Sequence, residues 1–139
     1  EDNRHHKVTK ALEDVTFINI AVTGVIANIT KSFSQSALGH MMYDGVRTFF
    51  TQEAKDALHG EIVAVALFTQ LYYNKLSEQK EQLKEFMRGM DMPLTLEELG
   101  VPCTEKNLKT LEDYLIDSPY VDPSPESLAL LHEAMKQMQ

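Results

Sequence analysis

The sequence predicts an all-α fold, a compact bundle of about six or seven helices formed by one domain of 139 residues. Three observations predict this fold. Apolar residues recur at the i, i+3, i+4 spacing of an amphipathic helix in several long segments. The later segments begin and end with residues that are typical of helix starts and helix ends. One run, from Ile62 to Phe68, is apolar on every side, which is typical of a helix buried at the centre of a bundle.

The first half of the chain contains three predicted helices. The pattern over 8–31 indicates a helix despite its many β-branched residues, because no turn signal occurs before Ser32. A second helix is predicted over 36–50, and the central helix over 59–76. The apolar run of the central helix is too short to cross a bilayer, which needs about 20 apolar residues.

The next segments alternate between helices and turns. An amphipathic helix is predicted over 77–90, with leucine, phenylalanine and methionine on one side and charged residues on the other. The segment 95–98, Thr-Leu-Glu-Glu, has the pattern of a capping box, and Gly100 follows it. This pattern predicts a helix of one or two turns that ends at the glycine.

Two further helices complete the predicted bundle. Thr104 is placed to cap a helix that runs to about Asp117. Ser124 as the cap and Pro125 at the first helical position start the last helix.

Two histidines lie on predicted helices in the middle of the chain. His40 is early in the second helix, and His59 starts the central helix beside Gly60, where a neighbouring group can approach the backbone. Asp44 lies one turn after His40, so these two side chains can face one another. Histidine is the commonest metal ligand, which makes a shared metal site one interpretation. Ordinary hydrogen-bonded histidines are the other interpretation, because the pair lacks the i, i+4 spacing of a helical zinc motif.

Composition and charge narrow the classes of partner. The formal net charge of −8 argues against nucleic acid and anionic membranes, because a phosphate-binding surface needs clustered lysine and arginine. The single cysteine, Cys103, excludes an internal disulfide and favours a cytoplasmic location. The polar first ten residues lack the apolar segment of a signal peptide, and His5 and His6 are interpreted as solvated. Self-association is left open.

Four stretches resemble the glycerol dehydrogenase branch of the metal-dependent (iron-containing) alcohol dehydrogenases. HGEIVAVALFTQL, residues 59–71, resembles the HGE-K-V-A motif of that family, and ALGHMMYDGV, residues 37–46, is similar to its A-H-A-I-H-N-G motif. MPLTLEELGV, residues 92–101, is similar to the G-L-P-x-T-L-x-x-L segment, and PSPESLALL, residues 123–131, to the late turn and last helix. The resemblance therefore extends over most of the chain.

The resemblance implies a metal site and a substrate class. The family holds Zn²⁺ or Fe²⁺ with two histidines and one aspartate, and the two histidines correspond to His40 and His59. The aspartate belongs to a Gly-Asp motif that has no counterpart in this sequence. By the same resemblance Phe33 corresponds to a residue that borders the polyol pocket, and the alternative is that Phe33 is a packing residue of its loop. The implied reaction is NAD(P)-linked oxidation of a small alcohol or polyol, and no catalytic residue is assigned.

The resemblance also implies a two-domain enzyme of which this chain is the C-terminal helical part. The N-terminal nucleotide-binding domain of the family, with its glycine-rich phosphate loop, has no counterpart here, so we expect it as a partner. We expect the isolated chain to be inactive and to hold its metal weakly, because it supplies only two ligands. Asp44 is the first candidate for a third ligand if the metal is held tightly.

Two alternative functions stay open. A dehydroquinate synthase-like or glycerol-phosphate dehydrogenase-like domain shares the HGE motif but needs basic residues for a phosphorylated substrate. Arg47 is the only basic residue between His40 and Lys55, which disfavours that alternative. The other alternative is a non-catalytic helical interaction module.

Overall fold

All regular elements in the part of the chain that the structure describes, residues 3–29 and 37–139 of a computed structural model, are helical. This confirms the predicted all-α fold of about six or seven helices. The contacts divide the chain into two compact units, Glu1–Ser36 and Ala37–Gln139, whereas the sequence was interpreted as one domain. No helix within the described ranges is long and apolar enough to cross a membrane.

The N-terminal unit contains a 3-10 turn at Asn3–His5 and then a longer helical segment that changes its hydrogen-bonding pattern along its length. Helix α1 covers Lys10–Phe17, a π-helical stretch covers Ile18–Val22, and α2 covers Thr23–Ile29. Thr9 caps α1 by accepting a hydrogen bond from the backbone N–H of Leu12. The Thr23 hydroxyl donates to the Ile18 carbonyl oxygen at 3.0 Å, within the π-helical turn. The predicted helix over 8–31 is therefore present through Ile29, and its last two residues lie outside the described ranges.

The C-terminal unit consists of five helices and a short final turn. Its α-helices are α3 (Leu38–Phe49), α4 (His59–Tyr73), α5 (Glu78–Gly89), α6 (Glu105–Ile116) and α7 (Pro125–Met135), and a 3-10 turn follows at Lys136–Met138. These bounds agree with the predicted helices to within about three residues, the usual uncertainty of helix ends.

Helix α4 occupies the centre of the C-terminal unit, as its apolar sequence predicts. It contacts α3, α5, α7 and the final 3-10 turn. Ile62, Val65, Ala66 and Phe68 are all 1% exposed or less, so the helix is covered around much of its circumference. These contacts hold α4 in place on several sides, and His59 is the first residue of this helix.

The helix of one or two turns predicted after Pro93 is a single hydrogen-bonded turn, in which the Leu99 N–H donates to the Thr95 carbonyl at 3.3 Å. The capping contacts are present, since the Thr95 hydroxyl accepts from the Glu98 N–H at 3.2 Å and the Glu98 carboxylate accepts from the Leu94 N–H at 2.6 Å. However, the Leu96 N–H donates to the carbonyl of Met138, and Gly100 adopts a φ of +91°. The Leu96 N–H is among the first donors of the turn, which have no partner within it, and the left-handed Gly100 ends the segment after this single turn.

The two later caps are confirmed. The Thr104 hydroxyl accepts from the Asn107 N–H at 3.2 Å and starts α6. The Ser124 hydroxyl accepts from the Ser127 N–H at 3.4 Å, and Pro125 is the first residue of α7.

Candidate metal site

The structure brings His40 and His59 together. Their ring centres are 5.7 Å apart and their planes are inclined by 52°, and both residues are exposed. An imidazole nitrogen binds zinc at about 2.0–2.1 Å, so the centres of two rings that share one ion lie roughly 5–6.5 Å apart. The observed separation falls within this range. Because neither ring is enclosed by hydrocarbon, an ion can reach both from solvent.

Helix α3 presents His40 in its first turn. Ala37 precedes the helix in an extended conformation, and the His40 N–H donates to the Ala37 carbonyl at 2.9 Å. The N–H of Gly39 donates to the side-chain oxygen of Gln70 on α4 at 3.0 Å, which joins the start of α3 directly to the central helix. Leu38 is buried on the core side, so His40 projects on the outer side of the same turn.

Helix α4 presents His59 as its first residue. Leu58 precedes it in an extended conformation, and its N–H donates to the carboxylate of Glu61 at 2.7 Å. This contact is one half of a capping box and satisfies a backbone group that the helix leaves unpaired. Ile62, one turn further on, is buried and fixes the helix against the core. A Cβ built on Gly60 meets no atom within 4 Å, so the space beside the start of α4 is open.

Tyr43 and Arg47 form the remaining wall of the site. The Tyr43 ring lies 4.1 Å from the His59 ring, centre to centre, and the Arg47 guanidinium carbon lies 5.5 Å from the centre of the Tyr43 ring. Neither residue is among the site residues predicted from the sequence. Their signal was nevertheless present, because His40, Tyr43 and Arg47 follow the i, i+3, i+7 spacing that places residues on one face of a helix.

Arg47 also binds the segment that leads to His59. Its two terminal nitrogens donate to the carbonyl oxygens of Ala54 at 2.9 Å and Ala57 at 2.6 Å. Both carbonyl groups belong to the connection between α3 and α4. The positive charge of Arg47 is therefore directed toward the backbone of this chain.

A third ligand is not present beside the two histidines in the described ranges. No group of three histidine, cysteine, aspartate or glutamate side chains within them is arranged to hold a metal ion. Asp44, the first candidate from the sequence, is exposed one turn beyond His40 and does not complete such a group. Phe33, the predicted pocket residue, lies outside the described ranges.

His132 lies in a different environment from the histidine pair. Its Nδ1 atom is 3.0 Å from the carboxylate of Glu112, whose side chain is about 10% exposed. Lys109 approaches the same carboxylate at 3.7 Å. This hydrogen-bonded cluster joins α6 to α7, and His132 provides a natural control for experiments on His40 and His59.

Comparisons with known proteins do not identify a relative. No family model, no curated protein and no solved structure matches this chain.

Proposed function

We propose that His40 and His59 bind one divalent metal ion, and that the chain is the helical metal-binding part of an NAD(P)-dependent alcohol or polyol oxidoreductase. The observation that supports the proposal is the 5.7 Å separation of two exposed imidazole rings. The two histidines come from separate helices, and each lies within a stretch that resembles a ligand motif of the iron-containing alcohol dehydrogenases. A separation suited to a common ion is what this resemblance requires.

The ligand chemistry limits the choice of metal. Two imidazoles with a carboxylate suit Zn²⁺, and they also suit Fe²⁺ in sites that keep positions open for substrate. The third ligand is expected from outside the described residues. A bound metal supplies Lewis acidity that lowers the pKa of a substrate hydroxyl, and nicotinamide supplies the hydride chemistry.

The residues of this chain bind and orient within this scheme. His40 and His59 contribute nitrogen ligands from the starts of α3 and α4, and the Tyr43 ring restricts the orientation of His59. The open space beside Gly60 leaves room for a small alcohol. The exposure of both histidines agrees with a site that a nucleotide-binding domain completes.

The phosphorylated-substrate alternative is disfavoured by the contacts of Arg47. A dehydroquinate synthase-like site needs cations directed at the substrate phosphate. Both terminal nitrogens of Arg47 instead donate to the carbonyl groups of Ala54 and Ala57. We therefore propose an unphosphorylated alcohol or polyol as the substrate.

Zinc titration tests the metal site. The variant His5→Ala/His6→Ala removes the adjacent N-terminal histidines and serves as the parent chain, so that tail binding does not contribute. We expect one weakly bound Zn²⁺ per parent chain by isothermal titration calorimetry, because the chain supplies only two of the ligands. His40→Ala and His59→Ala should each weaken binding by at least about tenfold, or about 1.4 kcal/mol. His132→Ala, the control, should leave the affinity unchanged because Glu112 already binds that ring.

The outcomes separate the candidate functions. Zinc binding that survives both His40→Ala and His59→Ala, or no binding by the parent chain, contradicts the proposed site and favours a non-catalytic interaction module. The enzymatic part of the proposal is tested with the product of the complete open reading frame that encodes this chain. After loading with zinc it should oxidise glycerol or related diols with NAD⁺ or NADP⁺, and either histidine substitution should abolish that activity.

A further inference from the structure

We infer that Arg47 is a positioning residue that fixes the separation between His40 and His59 and thereby sets the affinity of the site for its metal. This inference rests on the proposed function, because it concerns the affinity for the proposed metal ion. The separation of the two rings can nevertheless be measured without a metal. Arg47 lies on α3, two turns after His40, so the helix that carries one ligand also carries the group that restrains the other.

The first restraint acts on the backbone before His59. The connection between α3 and α4 has no regular helix, and its conformation depends on a small number of hydrogen bonds. The guanidinium group donates to the carbonyl oxygens of both Ala54 and Ala57. Hydrogen bonds from a charged donor are stronger than neutral ones, and the planar fork of arginine places two donors in a fixed relation. The second of these carbonyl groups, that of Ala57, lies two residues before His59.

The second restraint acts on the ring of His59 through Tyr43. The guanidinium carbon lies 5.5 Å from the centre of the Tyr43 ring, within the distance of a cation–π interaction. Tyr43 in turn lies 4.1 Å from the His59 ring. Arg47 therefore reaches His59 by two routes, one along the backbone and one through an aromatic side chain. A flexible ammonium group does not reproduce both contacts, because lysine lacks the planar fork.

A purely structural role for Arg47 is the competing explanation. In that case its loss lowers the stability of the connection but leaves the two histidines free to bind metal as before. The distinction is measurable, because partners that orient metal-binding histidines typically change metal affinity by about 10–100-fold when they are removed.

The test compares Arg47→Met, Arg47→Lys and the control Lys55→Met in the parent chain without His5 and His6. Methionine keeps the aliphatic stem but removes both hydrogen bonds, and lysine keeps the charge without the fork. Lys55→Met removes one positive charge from the same connection. We expect the zinc dissociation constant to rise by about tenfold in Arg47→Met and by a smaller factor in Arg47→Lys. Lys55→Met should change it less than about twofold, as expected for an exposed charge.

A second measurement needs no metal. Nuclear Overhauser contacts between the Tyr43 and His59 rings should be present in the parent chain and weakened in Arg47→Met, while the resonances of His132 stay in place. Methylguanidinium added to Arg47→Ala should restore part of the lost zinc affinity. Unfolding in urea, followed by circular dichroism, reports whether each variant is folded under the conditions used. If Arg47→Met does not fold, Arg47→Lys carries the comparison.

Each result has a defined meaning. Unchanged zinc affinity in a folded Arg47→Met chain, or retained Tyr43–His59 contacts, overturns the role of Arg47 and leaves the metal site intact. Failure of the parent chain to bind zinc overturns the proposed function. In that case the ring contacts in the metal-free chain still decide whether Arg47 positions His59.

Discussion

The rings of Tyr43 and His59 lie 4.1 Å apart, closer than the 5.7 Å between His59 and His40. Tyr43 follows His40 by three residues, so both side chains are on the face of α3 that the start of α4 approaches. The 56° inclination between the two planes gives a tilted aromatic contact. His59 is therefore bordered by a neighbouring ring on one side and by open space near Gly60 on the other.

Replacing Tyr43 should change the magnetic environment of His59. In Tyr43→Leu the aromatic ring current is lost, so the ring C–H resonances of His59 should move more than those of His132 in a proton–carbon correlation spectrum. Tyr114→Leu is the matched control, because the Tyr114 ring contacts Phe49 instead. Equal displacement of the His59 resonances in both variants contradicts the observed arrangement.

Gly100 should not tolerate a side chain. Its φ is +91°, and a Cβ at this position would lie 2.3 Å from the carbonyl oxygen of Glu53. Gly100→Ala should therefore lower the free energy of unfolding by about 2 kcal/mol or more, the combined cost of backbone strain and a steric clash. Chemical denaturation measures this change.

Gly89→Ala provides the control for Gly100. Gly89 is the last residue of α5, and a Cβ there meets no atom within 4 Å. The alanine should leave stability unchanged or raise it by up to about 1 kcal/mol. A loss in Gly89→Ala as large as that in Gly100→Ala indicates that the glycine effect is not specific to the turn.

Thr69→Val should stabilise the protein. The Thr69 hydroxyl is buried in α4 and has no hydrogen-bond partner among the described residues. Valine has nearly the same shape without the polar group, so the free energy of unfolding should rise by about 1 kcal/mol. Thr110→Val is the matched control, because the Thr110 hydroxyl donates to the Lys106 carbonyl at 3.0 Å and its loss should be neutral or destabilising. Thermal unfolding of both variants distinguishes the two cases.

Cys103 should react slowly with thiol reagents near neutral pH. Burial, followed by the negative charge of Glu97, raises the pKa of the thiol above its ordinary value. The reactive thiolate should therefore form at higher pH in the folded chain than in urea, as the pH profile of iodoacetamide labelling will show. The stability that this preference for the neutral thiol provides is present at low pH and is lost as pH rises through the thiol pKa. Glu97→Gln should move the folded profile partly back, and identical folded and unfolded profiles contradict the prediction.

The helices could be predicted from the sequence because their signals are local. The apolar run after His59 predicts the buried helix α4, and Thr104, Ser124 and Pro125 mark helix starts through contacts within a few residues. Periodicity also predicted the positions of His40 and His59 on separate helices. Their closeness in space needed the family resemblance, because the sequence between them carries no ligand spacing.

The features that sequence analysis missed depend on tertiary contacts. The turn over 95–100 has the local pattern of a helix start, but its Leu96 N–H pairs with the distant Met138 carbonyl, which no local pattern predicts. The contacts of Arg47 with Ala54 and Ala57 depend on how the connection folds back on α3. Asp44 stays a candidate from helix spacing alone, and no group of three ligand-type side chains forms around it within the described ranges.

The close approach of Gly100 to Glu53 links a turn outside the candidate site to the backbone that leads to His59. Glu53 belongs to the connection that Arg47 binds, so a change at position 100 displaces the backbone upstream of His59. Under the proposed metal site, a random-mutagenesis screen for lost zinc retention should therefore recover variants in this turn, although it carries no proposed ligand. Engineers who wish to graft this pair of imidazoles onto another scaffold need to transplant that distant turn as well.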